Sequence, residues 1–444
     1  MVHYRHLALS CPDVIHAVFA NLDQPDLARA LRVCRTWNEW TDTLWESLPT
    51  LNPLLRLAFP FVFTKENEKY IQGVPLYQIN RTRFTQLAKS VRHIDSSYTP
   101  SRSFFHDYNP DIPGRLLDAC GSDRPLFPKL QSLRTQCRND TELLGLLPLL
   151  SSSLSSLEVS VHHSAVDFIS EFVDGIGEHA TKLERLDISC QPRVAKSSSS
   201  DAHAQRELDS YVYIPLIGST LFALSSTLRT LSIPGSCMSI DTFLTLARLP
   251  LLRSLTFSGP WFSEIHGDEW PELNENFHAF PSLQTISLPC PIPAASRLLA
   301  AIPDSISISR VEVDSPSSHS GEELSELSMV LARFRASLRS IILKQPRGSE
   351  DEATLAWTAA FGAILECGAL EELMLDLPLD MASPEAQTMS SRLRGLKVLR
   401  LPSSVLSSEV LECFSNMKSL RELGAFGGLH NVMDGTSSPD VLPS

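Results

Sequence analysis

The chain has 444 residues, 43% of them hydrophobic and 20% charged, enough for one large domain beside a small one. Its formal net charge of -13 argues against nucleic acid or an anionic membrane as the main partner, since both select for an excess of Lys and Arg. The nine cysteines form no C-x-x-C pair, are odd in number and read as small apolar residues in a reducing compartment, so cytoplasm, nucleus or both is the expected location.

The N-terminus, MVHYRHLALSCPD, lacks the apolar core of a signal peptide, and the longest apolar run, LLRLAFPFVF from Leu54, is too short to span a bilayer. Ser10 fits a helix N-cap with Pro12 in the first turn. Val14, Ile15, Val18, Phe19 and Leu22 then recur at helical spacing. Asp23 to Asp26 close that helix and start a second, with Leu27, Ala30, Leu31, Val33, Cys34 and Trp37 apolar. A third is expected from Thr41 or Asp42, carrying Leu44, Trp45 and Leu48. Three helices this short have little interior, so part of their apolar surface should face a partner.

The ordered run of Pro12, Val14, Ile15, Val18, Phe19, Leu22, Asp23, Asp26, Leu27, Val33, Cys34, Trp37, Leu44 and Trp45 resembles an F-box, with Cys11 where the family pattern has Leu. The resemblance implies docking onto the Skp-family adaptor of a cullin-based ubiquitin ligase, with Pro12, Val14, Ile15, Phe19, Leu22, Leu27, Val33, Trp37, Leu44 and Trp45 as the adaptor-binding residues. An ordinary helical hairpin packing on the rest of the chain is the bland alternative. Trp40 matches no position of the pattern.

Residues 51–126 open with a Leu- and Pro-rich stretch and contain RFTQLAKSVRHI. Arg83, Phe84, Ala88, Val91 and Arg92 are similar to the helix that joins F-box to repeats in many fungal F-box proteins, which implies a rigid helical spacer.

From residue 130 onward an L-x-x-L-x-L pattern recurs. It starts at Leu130, Leu154, Leu183, Leu228, Leu252, Leu283, Ile308, Leu338, Leu370, Leu396 and Leu420, at intervals of 24, 29, 45, 24, 31, 25, 30, 32, 26 and 24 residues. Helix-like stretches lie between, for example Leu324, Leu327, Leu331 and Phe334 at one-face spacing. One strand plus one helix per interval makes a curved parallel solenoid, because a single repeat cannot bury its own leucines. The pattern resembles degenerate leucine-rich repeats, since the Asn or Cys that usually follows the strand is nearly absent.

The expected fold is therefore α/β: an F-box at 8–50, a helical spacer at 51–126, an irregular leucine-rich-repeat solenoid of about eleven repeats at 127–428 with parallel strands on the concave face and helices on the convex one, and a disordered tail at 429–444.

The common catalytic signatures are absent from the sequence, so no enzyme activity, cofactor or metal is expected. His162 and His163 follow a strand, and since adjacent histidines on a strand point to opposite faces, a surface loop is expected in preference to a metal-binding pair. Gly175-Ile176-Gly177 reads as a break or cap in a helical run. Residues flanking the last Leu of each repeat should face away from the core. Among these, Glu158, Asp187, Thr256, Ser258, Glu312, Asp314, Lys344, Asp376 and Arg400 are candidate substrate contacts, together with Trp261 in an aromatic and acidic insertion. A protein substrate with a basic or polar segment is expected; a solvated sheet face is the alternative. The functional expectation is a non-catalytic substrate receptor, and its rival is a repeat scaffold whose F-box-like helices only cap the solenoid.

Overall fold

The structure is a computed structural model that describes residues 45–51, 54, 81–96, 110–121, 125–191, 224–237, 240–258, 279–316, 320–345, 355–377, 379–404, 406–425 and 428–431, with isolated positions at 11, 14, 18, 22, 26, 29, 30 and 33. The chain divides into two compact units, Met1–Leu228 and Arg229–Ser444.

In the first unit β1 (Ser47–Leu48), β2 (His93–Asp95), β3 (Ser132–Cys137), β4 (Ser156–His162) and β5 (Arg185–Gln191) pair in that order, all parallel. Ile94, Leu133, Leu157 and Leu186 stand in one register row, each at most 1% exposed. A parallel neighbour requires a crossover, and helices supply it: α1 (Arg81–Ala88), α2 (Ile112–Cys120), α3 (Asp140–Leu144) and α4 (Ile169–His179). On α1, Phe84 meets Phe127 edge to face at 6.3 Å.

The second unit repeats the scheme. β6 (Thr230–Pro234), β7 (Ser254–Ser258), β8 (Thr285–Leu288), β9 (Arg310–Asp314), β10 (Ser340–Lys344), β12 (Glu372–Asp376), β14 (Val398–Leu401) and β15 (Glu422–Ala425) form a parallel sheet. A final strand, β16 (Gly428–Asn431), pairs antiparallel to β15. β11 (Leu355–Ala356) and β13 (Leu379–Asp380) make a separate two-stranded parallel pair. Crossover helices are α5 (Ile240–Ala247), α6 (Ile292–Ala300), α7 (Gly321–Ala332), α8 (Trp357–Phe361), α9 (Ser383–Arg392) and α10 (Ser408–Ser415). α7 shows why such helices form. Ser320 accepts from the Glu323 amide while the Glu323 carboxylate accepts from the Ser320 amide, and Leu324, Leu327 and Leu331 bury one face. At about 1.5–3 kcal/mol per buried leucine side chain, this stripe and the strand rows dominate the core.

All eleven L-x-x-L-x-L segments enter a strand two residues after their first apolar position. What joins successive turns is mainly backbone. The carbonyls of Arg92, Gln131 and Ser155 in the first unit, and of Arg229, Arg253, Gln284, Ser309, Arg339, Glu371 and Lys397 in the second, each accept two consecutive N–H groups from the next turn at 2.7–3.1 Å. A carbonyl has two lone pairs, and here both are used. Hydroxyls add to this: Ser153 donates to the Leu130 carbonyl, Thr227 to Leu183, Ser282 to Pro250, Ser337 to Ile308 and Ser419 to Arg394. These residues immediately precede the first apolar residue of their segments, so five of the eleven segments carry a Ser or Thr there that ties two turns together.

Several expectations need correction. Leu48, expected in a third helix, lies in β1 and is 2% exposed. The spacer is not wholly helical, since β2 within it completes the sheet. Residues 429–431, assigned to a disordered tail, form part of β16. Gly175 and Gly177 do not break the helix; they sit inside α4, where a Cβ on Gly175 would lie 2.4 Å from Leu147 Cδ2. Glycine is there for close approach. The stretch from Leu355 to Gly368 is a strand residue pair, the one-turn α8 and a 3-10 turn (Gly362–Glu366) in place of one helix.

Candidate protein-interaction surfaces

Two surfaces collect the residues singled out above. At the N-terminal end, Val14, Val18, Asp26, Arg29 and Ala30 are helical, and Arg29 pairs with Asp26 at 2.6 Å one turn away. Val14 and Val18 are 40% and 43% exposed, and Val33 is 67% exposed. Leu22 and Trp45 are half-buried. Pro12, Ile15, Phe19, Leu27, Trp37 and Leu44 lie outside the described residues, as does Trp261. Exposed valines are a partner signal when they sit together on a small module with little core of its own.

This end is tied to the sheet of the first unit. β1 pairs with β2, the Arg92 amide donates to the Glu46 carbonyl at 2.9 Å, the two side chains approach at 3.3 Å, and Leu51 and Leu54 are buried.

The second surface is the open face of each sheet. Alternation along the strands puts Glu158 and Asp187 on that face in the first unit and Thr256, Ser258, Glu312, Asp314, Lys344, Asp376 and Arg400 on it in the second, all half-buried or exposed. Burial overrides alternation at three neighbours expected to be open: Ser232 is 9% exposed, Ile342 4%, and Pro234 is buried.

Most charges on this face pair with one another. In the first unit Arg134 reaches Glu158 at 2.7 Å and Arg185 lies 3.7 Å from Asp187. In the second, Arg310 reaches Glu372 at 3.0 Å, Lys344 reaches Glu312 at 2.6 Å, and Arg400 reaches Glu422 at 2.6 Å, while Ser340 donates to Glu372 at 2.6 Å. The Arg400 hydrogen bond holds the Glu422 carboxyl below its ordinary value and raises the guanidinium in return. Strands β6 to β8 differ, offering Thr230, Ser254, Thr256, Ser258, Thr285 and Ser287 on the open face and no charge.

Several of the described thiols are shielded by burial. Cys137, Cys237, Cys290 and Cys367 are buried. Burial pushes Cys190 up to about 12 and Cys367 up to about 11, and it also raises Cys137 and Cys290. Among the described residues no group of three His, Cys, Asp or Glu side chains is placed to hold a metal ion, and no helix is long and apolar enough to cross a membrane.

Residues 12–48 match the F-box-like family model. The F-box-like segment thus contains the exposed valines and ends on β1. No curated protein matches the chain. Among solved structures, an internalin, inlF, from Listeria monocytogenes aligns over 72% of this chain and 89% of its own, with 12% identity and a TM-score of 0.34.

Proposed function

We propose that the protein is the non-catalytic substrate receptor of a Skp-cullin-F-box ubiquitin ligase. The F-box-like segment holds the Skp-family adaptor and through it a cullin. The open sheet faces hold a protein target, and other subunits carry out the transfer. Work of this kind needs surfaces and proximity, and no reactive groups in the receptor, which acts in the cytoplasm or nucleus. The observation that carries the reading is the F-box-like match over residues 12–48 together with the exposure of Val14, Val18 and Val33 inside it.

Co-elution with a purified Skp-family adaptor tests it. Val14→Asp with Val33→Asp, and separately Leu27→Ala with Trp37→Ala, should each abolish co-elution while the repeats stay folded by circular dichroism. A folded double variant that still co-elutes overturns the proposed site.

The pairing of β1 with β2 favours a second reading, in which the N-terminal segment serves only to cap the first sheet. A chain cut before Trp45 keeps β1, whereas one cut after Thr50 removes it. As a pure cap the segment would act through β1 alone, and the longer of the two truncated chains would retain every function of the intact protein. As a receptor it would lose the adaptor in both.

A further inference from the structure

The open face of the second unit distinguishes among possible targets by charge. We propose that it receives a basic segment of the target protein, seated over Asp314 and Asp376, and that it is unsuited to an acidic or phosphorylated one. This rests on the receptor reading and names the substrate chemistry of the same surface.

Counting only β9 to β15, the face carries three cations, Arg310, Lys344 and Arg400, and five carboxylates. Each cation already holds a carboxylate within 3.0 Å, in pairs that are only part exposed. An incoming phosphate or carboxylate would have to break one of them and leave a half-buried Glu without its partner, which costs more than a rim contact returns.

Two carboxylates are left over. Asp314 on β9 is exposed and has no hydrogen-bond or ionic partner among the described residues, and Asp376 on β12 accepts only the Ser403 hydroxyl. Both stand in register with Lys344, one on either side, so they are two strand spacings apart, about 10 Å. Lys344 does not neutralise them because its ammonium is directed to Glu312 at 2.6 Å. The residual field is therefore negative at one place. The neutral hydroxyl-bearing strands β6 to β8 neither add to it nor oppose it, so a bound cation is localised at β9 to β12. Complementary charge in this position steers encounter and sets register.

Fluorescence anisotropy of the full chain with three labelled peptides of equal length tests this: alternating Lys-Ser, alternating Glu-Ser, and a phosphoserine-Gly repeat. The Lys-Ser peptide should bind most tightly, and Asp314→Asn with Asp376→Asn should weaken it at least about fivefold. Glu322→Gln with Glu326→Gln, an equal charge change on the exposed side of α7, should not. Should the double aspartate variant misfold, Asp314→Asn alone, at an exposed position, should still weaken binding relative to Glu322→Gln. Equal effects of the site and control variants, or tighter binding of the phosphoserine or Glu-Ser peptide, would overturn the inference. Adaptor co-elution of the same variants separates the two claims: it should be unchanged here, and its loss in wild type counts against the receptor reading alone.

Discussion

Gly175 illustrates how a single residue can be misread when the partner is distant in sequence. Two glycines in three positions signal a helix break, yet the helix runs on because the Leu147 side chain occupies the space where a Cβ would stand. Gly175→Val should cost about 1–3 kcal/mol by overpacking. Leu147→Ala in the same chain should recover part of it, read as a non-additive shift in urea midpoint. The raised thiols of Cys190 and Cys367 lead to a prediction: at pH 8 both should react with iodoacetamide far more slowly in the native chain than in urea, followed by peptide mass spectrometry.

At the scale of elements, leucine spacing located every strand of the eleven repeats because the core row is set by side-chain period alone. It missed β1, β2, β11, β13 and β16, which are only two to four residues long and lie outside the L-x-x-L-x-L segments. It also missed α9, SPEAQTMSSR, which is too polar to show a stripe but starts with a proline in its first turn and buries Ala386 and Met389. Removal of a turn hydroxyl should be measurable: Ser337→Ala, which loses a 2.8 Å bond to the Ile308 carbonyl, is expected to cost about 1 kcal/mol in chemical denaturation. The turn preceding β12 contributes to acid stability. Hydrogen bonds from Lys397, and then from Arg339, hold the Glu371 carboxyl below its ordinary 4.5. A carboxyl depressed in the folded state stabilises it above the unfolded value, and that contribution fades as pH falls through the folded value. Glu371→Gln should therefore flatten the stability profile below about pH 5, with little change at pH 7 beyond the lost ion pairs.

For the whole molecule, the sequence conveyed the division into an F-box-like start and a repeat body, and the side of each strand that carries candidate contacts. It did not reveal that most of the charged candidates are already paired, Glu158 with Arg134, Asp187 with Arg185, Arg400 with Glu422 and Glu312 with Lys344. Glu312 and Lys344 were separate candidates 32 residues apart, and only the parallel register of β9 against β10 makes them a pair. Candidate lists drawn from alternation therefore overcount recognition groups wherever opposite charges fall on neighbouring rungs, and the residues left for a partner are those the ladder does not use.

Ser47 and Leu48 close the F-box-like match and are also the first rung of the sheet. A segment shared in this way cannot be stabilised for one purpose and left indifferent for the other. An adaptor that prefers the ordered N-terminal module raises the free energy of opening for the rungs next to it, and whatever firms those rungs tightens the adaptor in equal measure. Amide exchange at Ile94 and Leu133 should thus slow when adaptor is added, and exchange on β14 should not. Under the proposed receptor role, adaptor binding and the integrity of the first repeats become two readings of one equilibrium.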